Sequence, residues 1–238
     1  MTITIEPTVQ PTAPAVTTTT RRLDERRLAA IGAIVFATLV VFTNILQGSM
    51  PAMNADSAEV VTYITDHRAQ NLFATVGFAL GAPFLLMFAS AFYGRLKAVG
   101  RAEDLVWARF GLIGAVLIVP TFAAVVVQRL VLLVGMDELI GTPELITLVW
   151  RFEMAAFLLN VLPLSAAVVG FGIAGARAGL LPAWFSRWSP IAAAVGITGA
   201  ACAVAGLEGS PIGFVGFIPF ATWMVTLYVA GIRQLRSA

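Results

Sequence analysis

Charge is what this chain of 238 residues has least of: 12% of it is Asp, Glu, Lys or Arg, against 59% hydrophobic residues. Soluble domains carry about 25% charged residues, so a chain this poor in them has too little polar surface to face water on all sides. Histidine and cysteine are scarcer still, with only His67 and Cys202. Metal sites need several such ligands clustered together, so no metal is expected. A lone cysteine forms no intramolecular disulfide. A Ser-His-Asp set would have to use His67, which stands beside Asp66 in a polar stretch. The sequence has no P-loop, no dinucleotide-binding glycine pattern and no carboxylate pair suited to glycoside chemistry. No cofactor is expected, and no motif names a reaction. The formal charge of +2, with the basic residues dispersed, speaks against a nucleic-acid partner.

Long apolar runs are what the chain has in abundance. A charge at the bilayer centre costs about 2.5–3.5 kcal/mol or more, so charge-free stretches mark candidate spans. Six stand out: Leu28 to Ala55, Ala69 to Gly94, Phe110 to Gln128, Met154 to Ala176, Trp188 to Leu207, and Gly209 up to Arg233. About 20 apolar residues cross the ~30 Å hydrocarbon core as a helix. Each run suffices for one crossing and none for two. Their continuity argues against a barrel, whose strands alternate in short segments. The expected fold is therefore all-α, a polytopic transmembrane bundle of six helices over residues 28–234. Residues 1–27 precede it as a disordered, basic cytoplasmic tail, rich in Thr and Pro as far as Thr20. Leu207-Glu208-Gly209-Ser210-Pro211 reads as the turn of a hairpin between the last two spans.

Basic residues orient the bundle. Arg21, Arg22, Arg26 and Arg27 precede the first span. Arg95, Lys97 and Arg101 follow the second, Arg177 and Arg187 lie between the fourth and fifth, and Arg233 and Arg236 close the chain. These eleven fall on one side, against Arg68 alone in the opposite loops. Both termini are expected in the cytoplasm of a cell whose inner or plasma membrane holds the protein, with the lipid bilayer as its partner.

The first outer segment, Asn54 to Arg68, offers Asn54 or Asp56 as a helix N-cap, with Glu59 three residues after Asp56. Val60, Ile64 and His67 then share a face, which predicts a short amphipathic helix lying on the outer surface. This long outer loop with its helix, together with the inner loop Ala178-Gly179-Leu180-Leu181-Pro182, resembles a bacterial six-helix integral membrane family of unknown function, over roughly residues 28 to 234. The resemblance implies the six-helix fold and inner-membrane residence. It implies no catalytic residue.

Polar residues inside apolar runs require a reason. Asn44 and Gln47 share a face of the first span. Gln128 and Arg129 close the third. Arg151 and Glu153 open the fourth, with Asn160 seven residues beyond Glu153 and one turn before Pro163. Glu208 ends the fifth. Given the orientation, all but Asn160 fall toward the outer leaflet. Two readings stay open. In one these are interface residues, with the arginines snorkelling to headgroups. In the other they form an outward-opening polar cup, with Glu153 facing the bundle and paired to Arg129. Gly77 and Gly81 form a Gly-x-x-x-Gly pair suited to close helix packing within the chain. Pro83, Pro120, Pro163 and Pro219 lie inside spans, where proline bends a helix.

For function, the reading is a multi-pass membrane protein with a non-enzymatic envelope or binding role. The alternative is a permease or ligand-binding protein that uses the cup for a small solute or lipid. A lipid-modifying enzyme would need convergent titratable groups at headgroup depth, for which only Glu153, Glu208 and His67 are candidates.

Overall fold

The computed structural model describes residues 24–205 and 218–236. Among these every regular element is helical: α1 Glu25–Gln47, α2 Ser57–Asp66, α3 Arg68–Val99, a 3₁₀ turn Ala102–Asp104, α4 Leu105–Leu139, α5 Pro143–Leu159, α6 Val161–Arg177, α7 Phe185–Val204 and α8 Ile218–Arg236. Four stretches are long and apolar enough to cross a membrane: Glu25–Gln47, Arg68–Val99, Ala102–Leu139 and Pro143–Arg177. Large apolar side chains stand bare on their outer faces, Ile45 at 71% exposure and Phe73 at 70% among them. A water-soluble monomer rarely tolerates such a surface, whereas a membrane-embedded one requires it. Helices α7 and α8 have 20 and 19 residues. The hairpin expected between them, with Glu208, lies outside the described residues, as do residues 1–23 of the expected tail.

Capping sets the helix starts. The Asp24 side chain accepts from Arg26 N at 3.0 Å, so α1 begins at Glu25 and takes in Arg26 and Arg27, which the sequence assigns to the tail. It ends at Gln47, not Ala55, because Gly48 takes φ +62, a left-handed conformation that glycine adopts without steric cost. Residues 48–56 then run without regular structure to α2, which the Asp56 side chain caps by accepting from Glu59 N at 2.8 Å.

The third and fourth apolar runs understate their helices. Helix α4 has 35 residues, about 52 Å of rise, well beyond a ~30 Å hydrocarbon core. Helices α5 and α6 form a second long stretch, Pro143–Arg177, interrupted at Asn160, three residues before Pro163, which has no N–H to donate. Only Ile140–Thr142 separate α4 from α5. Arg129, Arg151 and Glu153 bound the apolar runs, yet they lie inside continuous helices.

Helices α4 and α6 approach closely at Gly111, Gly114 and Gly170, where a Cβ would collide with the facing backbone. Gly77 and Gly81 face Thr43 and Phe36 of α1, so this pair packs within the chain. At one end of the bundle Arg177 pairs with Asp104 at 3.1 Å. Arg233 there donates to Gly179 O at 3.5 Å. At the other end α2 covers α4 and α5. Two apolar cores result. The larger centres on Phe88, Phe92, Phe171 and Trp223. The smaller joins Val60, Tyr63 and Ile64 of α2 to Leu132, Met136 and Trp150. Helix α2 is thus built into an outer core, and the face predicted for the membrane surface packs on protein.

Candidate functional site

Where the two cores meet, Arg129 of α4 and Glu153 of α5 form a buried ion pair. Arg129 Nε donates to Glu153 Oε1 at 2.7 Å and Nη2 donates to the same oxygen. Their side chains are 3% and 0% exposed. Nη1 donates to Asn71 Oδ1 at 2.6 Å, and Nη2 lies 3.3 Å from Met50 Sδ. The guanidinium carbon sits 5.7 Å from the ring centre of Tyr63 and 5.4 Å from that of Trp150, within the range of cation–π attraction. The Tyr63 hydroxyl lies 3.0 Å from Asn71 Oδ1 and 3.2 Å from Gln47 O, either of which can accept its single proton. Trp150 Nε1 donates to Ala52 O at 2.9 Å.

Sequence spacing explains this local arrangement. Trp150 and Glu153 are three apart on α5 and share a face. Arg129, Leu132, Leu133 and Met136 form the buried stripe of α4. The strap 48–56 supplies Met50 and the Ala52 carbonyl, the last residue of α1 supplies the Gln47 carbonyl, and α2 brings Tyr63. Burial raises the phenol of Tyr63 above its ordinary value near 10, which keeps it a neutral donor. Glu153 Oε2 is buried without a protein partner.

The structure brings together only part of the expected cup. Arg129, Glu153 and Gln47 border one void of about 10 Å³, closed in by Met50, Met154 and Phe157. It is roofed rather than open, because α2 and the strap cover it. Asn44 and Asn160 belong to a different place, the cavity described next. Gln128 is half-buried with Oε1 unpartnered. Arg151 points outward, exposed, since two residues separate it from Glu153 by about 200° around the helix. Tyr63, Asn71, Trp150 and Met50 complete the site but are absent from the expected set. Asn71 carried a readable signal, being a polar residue inside an apolar run. His67 terminates α2 with its ring 5.9 Å from that of Tyr63. Among the described residues no three His, Cys, Asp or Glu side chains gather as metal ligands do.

Below the ion pair lies a cavity of about 310 Å³ between α1, α3, α4, α5, α6 and α8. Phe36, Phe78, Phe122, Phe157, Phe220 and Trp223 supply its aromatic walls, and among the described residues no charged one lines it. Among the described residues Asn44 and Asn160 are its carboxamide lining groups, and Trp223, whose buried Nε1 has no hydrogen-bond partner, also lines it. Asn160 Oδ1 meets Thr121 Oγ1 at 2.6 Å, tying the break between α5 and α6 to the turn of α4 that follows Pro120. Phe78, Phe122 and Phe157 border both the cavity and the small void. Their rings touch in sequence, with centroids 4.8 Å and 6.4 Å apart, and form a partition one side chain thick. Such a space can hold an apolar molecule in the membrane interior. A charged one would enter it without a counter-ion.

No family model, curated protein or solved structure matches this chain.

Proposed function

We propose that the chain is a multi-pass protein of the cell membrane, with six spans and both termini cytoplasmic, that binds an apolar ligand without transforming it. The basic residues grouped on one side support the orientation, and α7 and α8, each close to the ~20 residues a crossing needs, support the span count. The resemblance to bacterial six-helix membrane proteins of unknown function fits the same architecture. The observation that carries the binding role is the cavity: its volume falls at the lower end of the ~300–1,000 Å³ of ligand pockets, and its walls are aromatic and aliphatic. Ala82 and Ala123 line it, so Ala82→Phe and Ala123→Phe should fill it. In nanodiscs made with acyl chains brominated near mid-bilayer, Trp223 fluorescence in a variant with the other four tryptophans replaced by Phe should be quenched, and the filling substitutions should relieve it. Quenching that ignores both substitutions would remove the binding role. Labelling of Lys97→Cys from outside intact cells would remove the orientation.

A second reading, a small-solute permease, is favoured by one feature: the phenylalanine partition between the cavity and the outer void. Passage would require that partition and the roof of α2 to open. Solute flux through reconstituted protein that survives a disulfide between α2 and α5 would defeat it.

A further inference from the structure

We infer that the ligand of the cavity is a neutral, hydroxyl-bearing lipid, an aliphatic alcohol held by its chain among the phenylalanines and by its O–H on Asn44 or Asn160. This rests on the binding role proposed above and specifies the ligand's chemical class.

Charge comes first. None of the described residues lining the cavity is ionisable, and Arg129 and Glu153, beyond the phenylalanine partition, neutralise one another. An ionised carboxylate or ammonium would enter an apolar space without a counter-charge, at a cost that repels it. Fatty acids in their ionised form, amines and phosphate headgroups are therefore excluded from the cavity itself.

Hydrogen bonding then selects among neutral lipids. Asn44 sits on α1, and its Nδ2 donates to Val40 O at 2.8 Å. A carbonyl can only accept, so the amino end of this carboxamide must be the end that faces it. Asn44 Oδ1, an acceptor, is left without a partner among the described residues. An alkane or a simple ester cannot satisfy it, whereas a hydroxyl can. Asn160, on the opposite wall, is only 8% exposed. One end of its carboxamide is held by Thr121 Oγ1, and the other has no partner among the described residues. A hydroxyl both donates and accepts, so it completes either carboxamide. Polar side chains inside a bundle are costly when unsatisfied, and two with free valence on one apolar cavity are explained by a ligand that supplies the missing bond.

The test uses the full-length protein in nanodiscs, with tritiated 1-decanol as probe and unlabelled 1-decanol, decane and decanoate (at pH 8) as competitors. Each competitor is scaled to its mole fraction in the bilayer, so that partitioning cancels. One net hydrogen bond corresponds to a preference of about 2- to 10-fold, so 1-decanol should compete better than decane by that factor. Decanoate should compete worse than decane. Asn44→Leu or Asn160→Leu should abolish the preference for the alcohol while decane competes as before. Equal competition by decanol and decane in the wild type, or a preference that survives in both variants, would overturn the assignment of a hydroxyl while leaving an apolar site. Decanoate that matches decanol would overturn the exclusion of charge. Failure of every competitor, with no effect of Ala82→Phe on probe retention, would overturn the binding role together with this inference.

Discussion

The inner and outer cores bury their residues by different means. Around Phe88, ring stands on ring: Phe88 and Phe92 stack at 5.1 Å, Phe171 and Trp223 at 6.3 Å, and Phe88 meets Phe171 edge-on at 5.8 Å. Glycines let α4 and α6 touch backbone to backbone. Around Trp150 the outer core closes on an arginine and a glutamate. The contrast follows from the solvent each region meets. Between lipid tails, apolar side chains gain little by leaving their surroundings, so close packing has to hold helices together. Helix α4, with about 52 Å of rise, exceeds a ~30 Å hydrocarbon core, so in the topology proposed above its end beneath α2 would meet water, where apolar burial contributes in the usual way. At the border the ion pair joins α4 to α5, and Asn71 and Tyr63 tie α3 and α2 to it.

The largest effect tests that border. Breaking a buried pair from one side leaves an uncompensated charge, at about 3–5 kcal/mol. Glu153→Gln and Arg129→Gln should each lower stability by that order in a denaturation series, and the double variant should recover part of the loss. Small, additive losses would mean that the two residues act independently despite their contact. Because well-packed apolar replacements of buried pairs are often neutral, Arg129→Met with Glu153→Leu should remain folded. Its loss of α2 docking would show that the pair serves alignment.

Next in size are truncations within each core. Leu132 in the outer core and Leu85 in the inner core are 0% and 1% exposed. Leu→Ala in a buried site costs about 2–5 kcal/mol. Leu132→Ala should cost more than Leu85→Ala, since the lipid reference removes most of the transfer term from the latter. The reverse order in matched unfolding measurements would place the outer core inside the bilayer.

A smaller effect concerns the roof. Tyr63→Phe removes a hydroxyl bonded to Asn71 or Gln47 O, worth about 1 kcal/mol, and should increase hydrogen exchange across α2 without unfolding α4. Its pH dependence has a definite sign. The folded phenol titrates above its ordinary value near 10, so its contribution is complete below that value and is lost as pH rises through the folded one. Wild-type stability should fall in that alkaline range, and Tyr63→Phe should lack this component of the fall. Identical alkaline profiles would show that the hydroxyl is not held as described.

Most helices were legible because a charge-free run has one physical meaning, and α2 was legible because Asp56 and Glu59 stand at capping distance. The pairing of Arg129 with Glu153 was legible as shared depth on adjacent spans. What failed was the treatment of every charge as a boundary. A charge ends an apolar run, but paired with its opposite it does not end a helix, so α4 and α5 run on through Arg129 and Glu153. Tyr63 and Asn71 reach Arg129 from distant parts of the chain, and no local periodicity records that. The cavity was unreadable in principle: residues facing lipid and residues facing a void are equally apolar, and only packing separates Phe78 from Phe73.

The smallest effect is the sharpest control on the comparison. Arg151 is two residues from Glu153, carries the same charge as Arg129 and belongs to the same expected cluster, yet it is exposed. The turn of the helix, rather than depth along it, distinguishes the two arginines. Removing a charge from an exposed position leaves nothing unpaired, and such substitutions change stability by about 0.5 kcal/mol or less. Arg151→Gln should therefore unfold with the wild type, combine additively with Glu153→Gln, and leave 1-decanol binding unchanged. Coupling between Arg151 and Glu153 in a double-mutant cycle would mean that α5 is rotated from the face described here. The outer core would then have to be rebuilt around Arg151, with Arg129 turned toward the bilayer surface.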